Sequence, residues 1–143
     1  MGNELTGVIQ GTDDLFEGLS TLLSAYSGWT VYKYSGSNIE VMFEEIPSLR
    51  SPFCVIAYGE SDYRSHPNRR KARFHVVVGA TAPRRRFETG NLQAFALVDK
   101  VIELVEQQIL PGTRALIETD EDHALNVSTT HTVFDVEVTI RDS

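Results

Sequence analysis

The sequence predicts an α+β fold, a two-layer sandwich in which two amphipathic helices pack on a mainly antiparallel sheet. Three observations predict it. Apolar residues recur at helical spacing over two stretches, near residues 12–26 and 91–109. Between and after them lie runs rich in β-branched and aromatic residues, one continuously apolar and one cleanly alternating. Neither a helix stripe nor a sheet face is stable against water, so each must cover the other. The expected order is α-β-(β)-β-β-α-β-β. No repeat, low-complexity tract or linker divides the 143 residues, which read as a single α+β domain over 1–143.

Taken in order, "TDDLFEGLSTLLSAY" places Leu15, Phe16, Leu19, Leu22, Leu23 and Tyr26 on one helical face. Thr12 is the expected N-cap, Asp13 and Asp14 suit the first turn, and Gly28 ends the element. "WTVYKY" is a short strand, and "SGSN" a turn. "IEVMFEEIP" alternates in part, which predicts a second strand or a ragged edge. "PFCVIAYG" is apolar almost throughout, as in a strand buried on both faces. In "KARFHVVVGA", Phe74, Val76 and Val78 share one face, and Arg73, His75 and Val77 the other.

The main helix is expected over 91–109, capped by Thr89 or Asn91 and stopped by Pro111-Gly112. Leu92, Phe95, Ala96, Val98, Val101, Ile102, Val105 and Ile109 form its apolar face. A brief strand "RALIET" then leads to an acidic turn, "DEDHA". The last strand, "HTVFDVEVTI", turns Phe134, Val136, Val138 and Ile140 inward and Asp135, Glu137 and Thr139 outward.

Composition narrows the function. With 41% hydrophobic and 23% charged residues, the chain sits in the ordinary globular range. No apolar run approaches the roughly 18 residues of a membrane-spanning helix. The stretch "MGNELTGVIQGTDDLF" lacks the basic and apolar regions of a secretory leader. A lone cysteine, Cys54, excludes an intramolecular disulfide and points to a reducing cytoplasm; its apolar setting makes it a small buried hydrophobe.

Catalytic patterns are missing. His66, His75, His123 and His131 form no pair with metal-ligand spacing, and there is no nucleophile elbow, phosphate loop or dinucleotide fingerprint. His75 and His131 read as packing or hydrogen-bonding residues of strands. The acidic groups Glu44-Glu45, Glu60-Asp62 and Asp120-Glu121-Asp122 could in principle serve acid/base work or a hard metal, but solvated turns look the same. The sequence therefore predicts no enzyme, and assigns no catalytic, cofactor-binding or metal-ligating residue.

Charge is the informative feature. Residues 64–86 hold eight of the thirteen Lys and Arg and no acid: Arg64, Arg69, Arg70, Lys71, Arg73, Arg84, Arg85 and Arg86. The formal charge is −7, so the other 120 residues sum to −15. A merely soluble surface mixes its signs. A strand of about ten residues spans roughly 30 Å, so the clusters before and after it would serve two surfaces. Two partners suit them. Nucleic acid would use the cations against phosphates, and an α-β-β-β-α order resembles double-stranded-RNA-binding domains. A second copy of the chain would set Glu44, Glu45, Glu60, Asp62, Asp120, Glu121 and Asp122 against those cations in a head-to-tail contact, which closes into a ring when the rotation permits.

The whole succession of "TDDLFEGLSTLLSAY", "SPFCVIAYGE", "RRKARFHVVVGA", "NLQAFALVDKVIELVEQQI", "ALIE" and "HTVFDVEVTI" resembles the tail terminator (tail completion, or neck) proteins of tailed bacteriophages, closest to the Mu-like contractile-tail type. The resemblance runs from about residue 8 to 141 and lies in element order and strand texture rather than in a motif. It implies an α+β structural subunit of the virion, assembled in the host cytoplasm, that forms a ring, commonly a hexamer, on the end of the tail tube. It also implies three partners: the neighbouring copy, the tail tube protein and the head-side connector. DNA would pass the lumen with at most non-specific contact, no membrane is involved, and no cofactor or catalytic residue is carried over. The alternative of a different class is a small nucleic-acid-binding domain using residues 64–86.

Overall fold

The computed structural model describes residues 11–36, 38–62, 71–81, 89–125 and 131–141. Its elements are α1 (Thr12–Leu23), β1 (Thr30–Tyr34), α2 (Ile39–Glu45), a 3-10 turn (Ile46–Ser48), β2 (Phe53–Asp62), β3 (Lys71–Ala80), α3 (Thr89–Val105), β4 (Leu116–Leu125) and β5 (Thr132–Arg141). The strands form one mixed sheet ordered β1-β2-β3-β5-β4. Only β1–β2 is parallel; β2–β3, β3–β5 and β5–β4 are antiparallel. Among the described residues, no helix is long and apolar enough to cross a membrane.

Both long helices lie on one face of the sheet. Leu15, Leu19 and Leu23 of α1 and Leu97, Val98, Val101 and Val105 of α3 meet Cys54 and Ile56 of β2, Phe74, Val76 and Val78 of β3, and Val136, Val138 and Ile140 of β5. The start of α1 is one residue earlier than expected: Gly11 is the cap and Thr12 is already helical. Its far end stops at Leu23, where the Trp29 indole donates to the Leu23 carbonyl at 2.9 Å, a helix-end acceptor that otherwise has only a 3.4 Å bond from the Tyr26 amide. Helix α3 ends at Val105, not 109, because Gln107 adopts φ 59° and turns the chain to pair with Ile117.

The expected strand at "IEVMFEEIP" is a helix followed by a 3-10 turn. Asn38 caps it, its Oδ1 accepting from the Glu40 amide at 2.9 Å. Met42 and Ile46, one helical turn apart, are buried against Phe53, Val55, Ala57, Val77 and Val133 on the sheet face away from α1 and α3. The fold therefore has a partial third layer, and Phe53 to Ala57 of β2 are buried on both faces as the sequence predicts, whereas Tyr58, Gly59 and Glu60 are exposed. The described order up to α3 is α-β-α-β-β-α, which removes the α-β-β-β-α succession. "DEDHA" is not a turn but the second half of β4, which continues through a register shift between Thr119 and Glu121.

Candidate functional site

Beyond the reach of α2, the second sheet face turns polar. Strand alternation puts His75 on the same face as Val77, and cross-strand register sets His75 opposite Glu137 and Val77 opposite Asp135. On the far side of β5, Glu121 stands opposite Glu137 and His123 opposite Asp135. The polar contacts run diagonally across these rows. His75 Nδ1 is 2.8 Å from Asp135 Oδ2. His123 Nε2 is 2.8 Å from Glu137 Oε2 and 3.4 Å from Glu121 Oε1.

These contacts set the protonation chemistry. The hydrogen bond to Asp135 holds the His75 pKa above the ordinary imidazole value; burial opposes it, the Asp135 and Glu137 charges add to it, and Arg73 subtracts. His123 is raised too, first by its hydrogen bond to Glu137; burial opposes this, and the charges of Glu121, Glu137 and Asp135 add to it. Asp135 is the unusual member. It is only 6% exposed, and its Oδ1 is buried without a hydrogen-bond partner among the described residues. An unsatisfied buried acceptor costs about 1–3 kcal/mol, so this oxygen is a place where the structure favours a further ligand. Two overlapping groups, His75-Asp135-Glu137 and Glu121-His123-Glu137, have ligand atoms within 4.8 Å of one another and could hold a metal ion.

Next to this face, Glu60, Lys71, Arg73 and Thr139 line a small cleft of about 80 Å³. Arg73 faces Glu60 across the β2–β3 ladder, and Lys71 is the register partner of Asp62. Two of the predicted basic residues thus share backbone register with two of the predicted acidic ones. The remaining cations, Arg64, Arg69, Arg70, Arg84, Arg85 and Arg86, lie outside the described residues. Glu44 and Glu45 are exposed at the end of α2. Asp120, Glu121 and Asp122 lie along β4, which is an edge strand. Asp120 accepts from the Thr139 hydroxyl, and only Glu121 reaches the His123 cluster.

Sequence reasoning missed the polar cluster because it lies across three strands. Asp135 and Thr139, read as facing water, are buried. The available signal was the i, i+2 pairing of Asp135 with Glu137 and of Glu121 with His123, which puts each pair on one face; only the register aligns them with His75.

No protein-family model matches the chain, and comparison with curated proteins gives no match. Among solved structures the fold is similar to that of a chain in the virion of a native gene transfer agent particle, with a TM-score of 0.51 and 14% identity, covering 86% of this chain and 82% of that one. The likeness is one of fold.

Proposed function

We propose that the protein is a structural subunit of a phage-like virion: a ring-forming tail terminator, or neck, protein that caps the tail tube and joins it to the head-side connector. The observation that carries the reading is the fold likeness to a virion chain over 86% of the sequence, which coincides with the resemblance in element order. The surface is compatible with it. Among the described residues acidic β4 is an edge strand of the sheet, and in the sequence the most basic stretch of the chain brackets the central strand β3. In a ring, groups of opposite charge would steer and register neighbouring copies. The role is non-enzymatic, with the neighbouring copy, the tube and the connector as partners.

Light scattering at low and high salt, alone, with short duplex DNA and with purified tail tubes, tests it. A ring-sized species, or a monomer that ignores DNA and assembles on tubes, is the expected result. A salt-sensitive monomer that binds duplex at physiological ionic strength would replace this reading with the nucleic-acid one.

A further inference from the structure

We propose that His75, Asp135 and Glu137 form a binding site for one divalent transition-metal ion of the zinc class, on the polar face of the sheet between β3 and β5. Such a site is independent of any role in a virion. One imidazole and two carboxylates from two paired strands bring their ligand atoms within 4.8 Å of one another. The side chains are 21%, 9% and 18% exposed, so the group is mostly buried and not a solvated acidic patch. Asp135 supplies the second observation. One of its oxygens contacts His75, and the other is buried and without a partner among the described residues. A carboxylate in that state calls for a cation or a donor, and no described side chain provides it.

The donor set selects the ion. A nitrogen ligand favours zinc, cobalt, nickel or copper over magnesium and calcium, which take oxygen alone. Bonds of about 2.0–2.1 Å place tetrahedral ligand atoms roughly 3.3 Å apart. The 2.8 Å between His75 Nδ1 and Asp135 Oδ2 must therefore open by about half an ångström as the ion replaces the hydrogen that now bridges them, and bidentate binding by Asp135 would bring its orphaned Oδ1 onto the ion as well. Three protein ligands leave a fourth position open to water. The neighbouring group Glu121-His123-Glu137 shares Glu137, but its His123 and Glu121 side chains are 48% and 64% exposed, and it lacks an orphaned buried oxygen. His123 is assigned the part of orienting Glu137 through their 2.8 Å contact.

The test is titration of chelator-treated full chain with Zn²⁺ by calorimetry at pH 7.5, repeated with Mg²⁺. Saturable binding of one Zn²⁺ per chain, with no Mg²⁺ binding at the same concentrations, is expected. His75→Gln and Asp135→Asn should each weaken Zn²⁺ binding at least tenfold, while His123→Gln weakens it less than either. If a variant fails to fold, Co²⁺ added to the unaltered chain decides: intense visible absorption shows a four- or five-coordinate site, and histidine ring resonances identify which imidazole is the ligand. The proposal is overturned by no saturable Zn²⁺ binding, by binding that H75Q and D135N leave intact, or by perturbation of His123 with His75 unmoved.

Discussion

His75 and Asp135 meet across the β3–β5 ladder with Nδ1 and Oδ2 2.8 Å apart, the carboxylate buried and the imidazole about one-fifth exposed. This pair makes stability depend on pH in a definite direction. Unfolded histidine titrates near pH 6.5, and folded His75 titrates higher because Asp135 bonds its protonated ring. Protonation therefore favours the native state. The contribution is complete below about pH 6.5 and is lost as pH rises through the raised folded value. Urea unfolding of metal-free protein should show the gap between the unaltered chain and His75→Gln widest at pH 5.5 and narrowest at pH 9. His123 carries the same sign but is present in both proteins, so the difference isolates His75. A gap that does not change with pH would contradict the assignment.

Glu106 gives the opposite slope. Its Oε2 accepts from the Thr119 hydroxyl at 2.6 Å and its Oε1 from the Thr119 amide at 3.1 Å, tying the end of α3 to β4. These bonds hold its pKa below the usual carboxylate value, the hydroxyl contributing most. The stabilisation is present above about pH 4.5 and is lost as pH falls through the lower folded value. Glu106→Gln should cost about 1 kcal/mol at pH 7, with the gap closing towards pH 3. Denaturant midpoints at the two pH values measure it.

Much of the sheet was legible because burial and period agree. Phe53 to Ala57 is apolar on both strand faces and is buried on both; Phe134, Val136, Val138 and Ile140 of the last strand do pack on the helix side, but Asp135 and Thr139 of its other face are buried as well. Errors arose where local and tertiary signals competed. Val41 in "IEVMFEEI" mimics strand alternation yet is exposed, while Met42 and Ile46 at helical spacing under an Asn38 cap determine the element. "DEDHA" has turn composition, but pairing with β5 holds it extended, with Asp120 absorbed at the register shift. The His75–Asp135 contact joins residues 60 apart in sequence, so no local pattern could announce it.

Cys54 should be inert in the native state. It is fully buried in the core under α1 and α3, and burial pushes its thiol pKa far up, away from the reactive thiolate. Native protein at pH 8 should resist a thiol-specific disulfide reagent for hours, whereas the urea-unfolded chain should react fully within minutes. Rapid native labelling would place this thiol at an accessible surface and reopen a chemical role for it.

Gly18 and Leu110 test how α1 is seated. Leu110, beyond the end of α3, is fully buried against Gly18, where an added Cβ would stand 2.5 Å from Leu110 Cγ and 2.8 and 2.9 Å from its two methyls. Alanine would gain about 1 kcal/mol of helix propensity over glycine. Overpacking a filled core costs about 1–3 kcal/mol, and all three contacts are too short for one side chain to yield without shifting its neighbours. The clash should win, leaving Gly18→Ala destabilised by about 1 kcal/mol. Leu110→Ala should lose about 2–5 kcal/mol through the cavity it opens. In the double variant the added methyl meets no clash and fills part of that cavity, so Gly18→Ala should change from destabilising to stabilising in the Leu110→Ala background. Urea melts of the four proteins complete the cycle, and additive losses would show that α1 does not rest on Leu110.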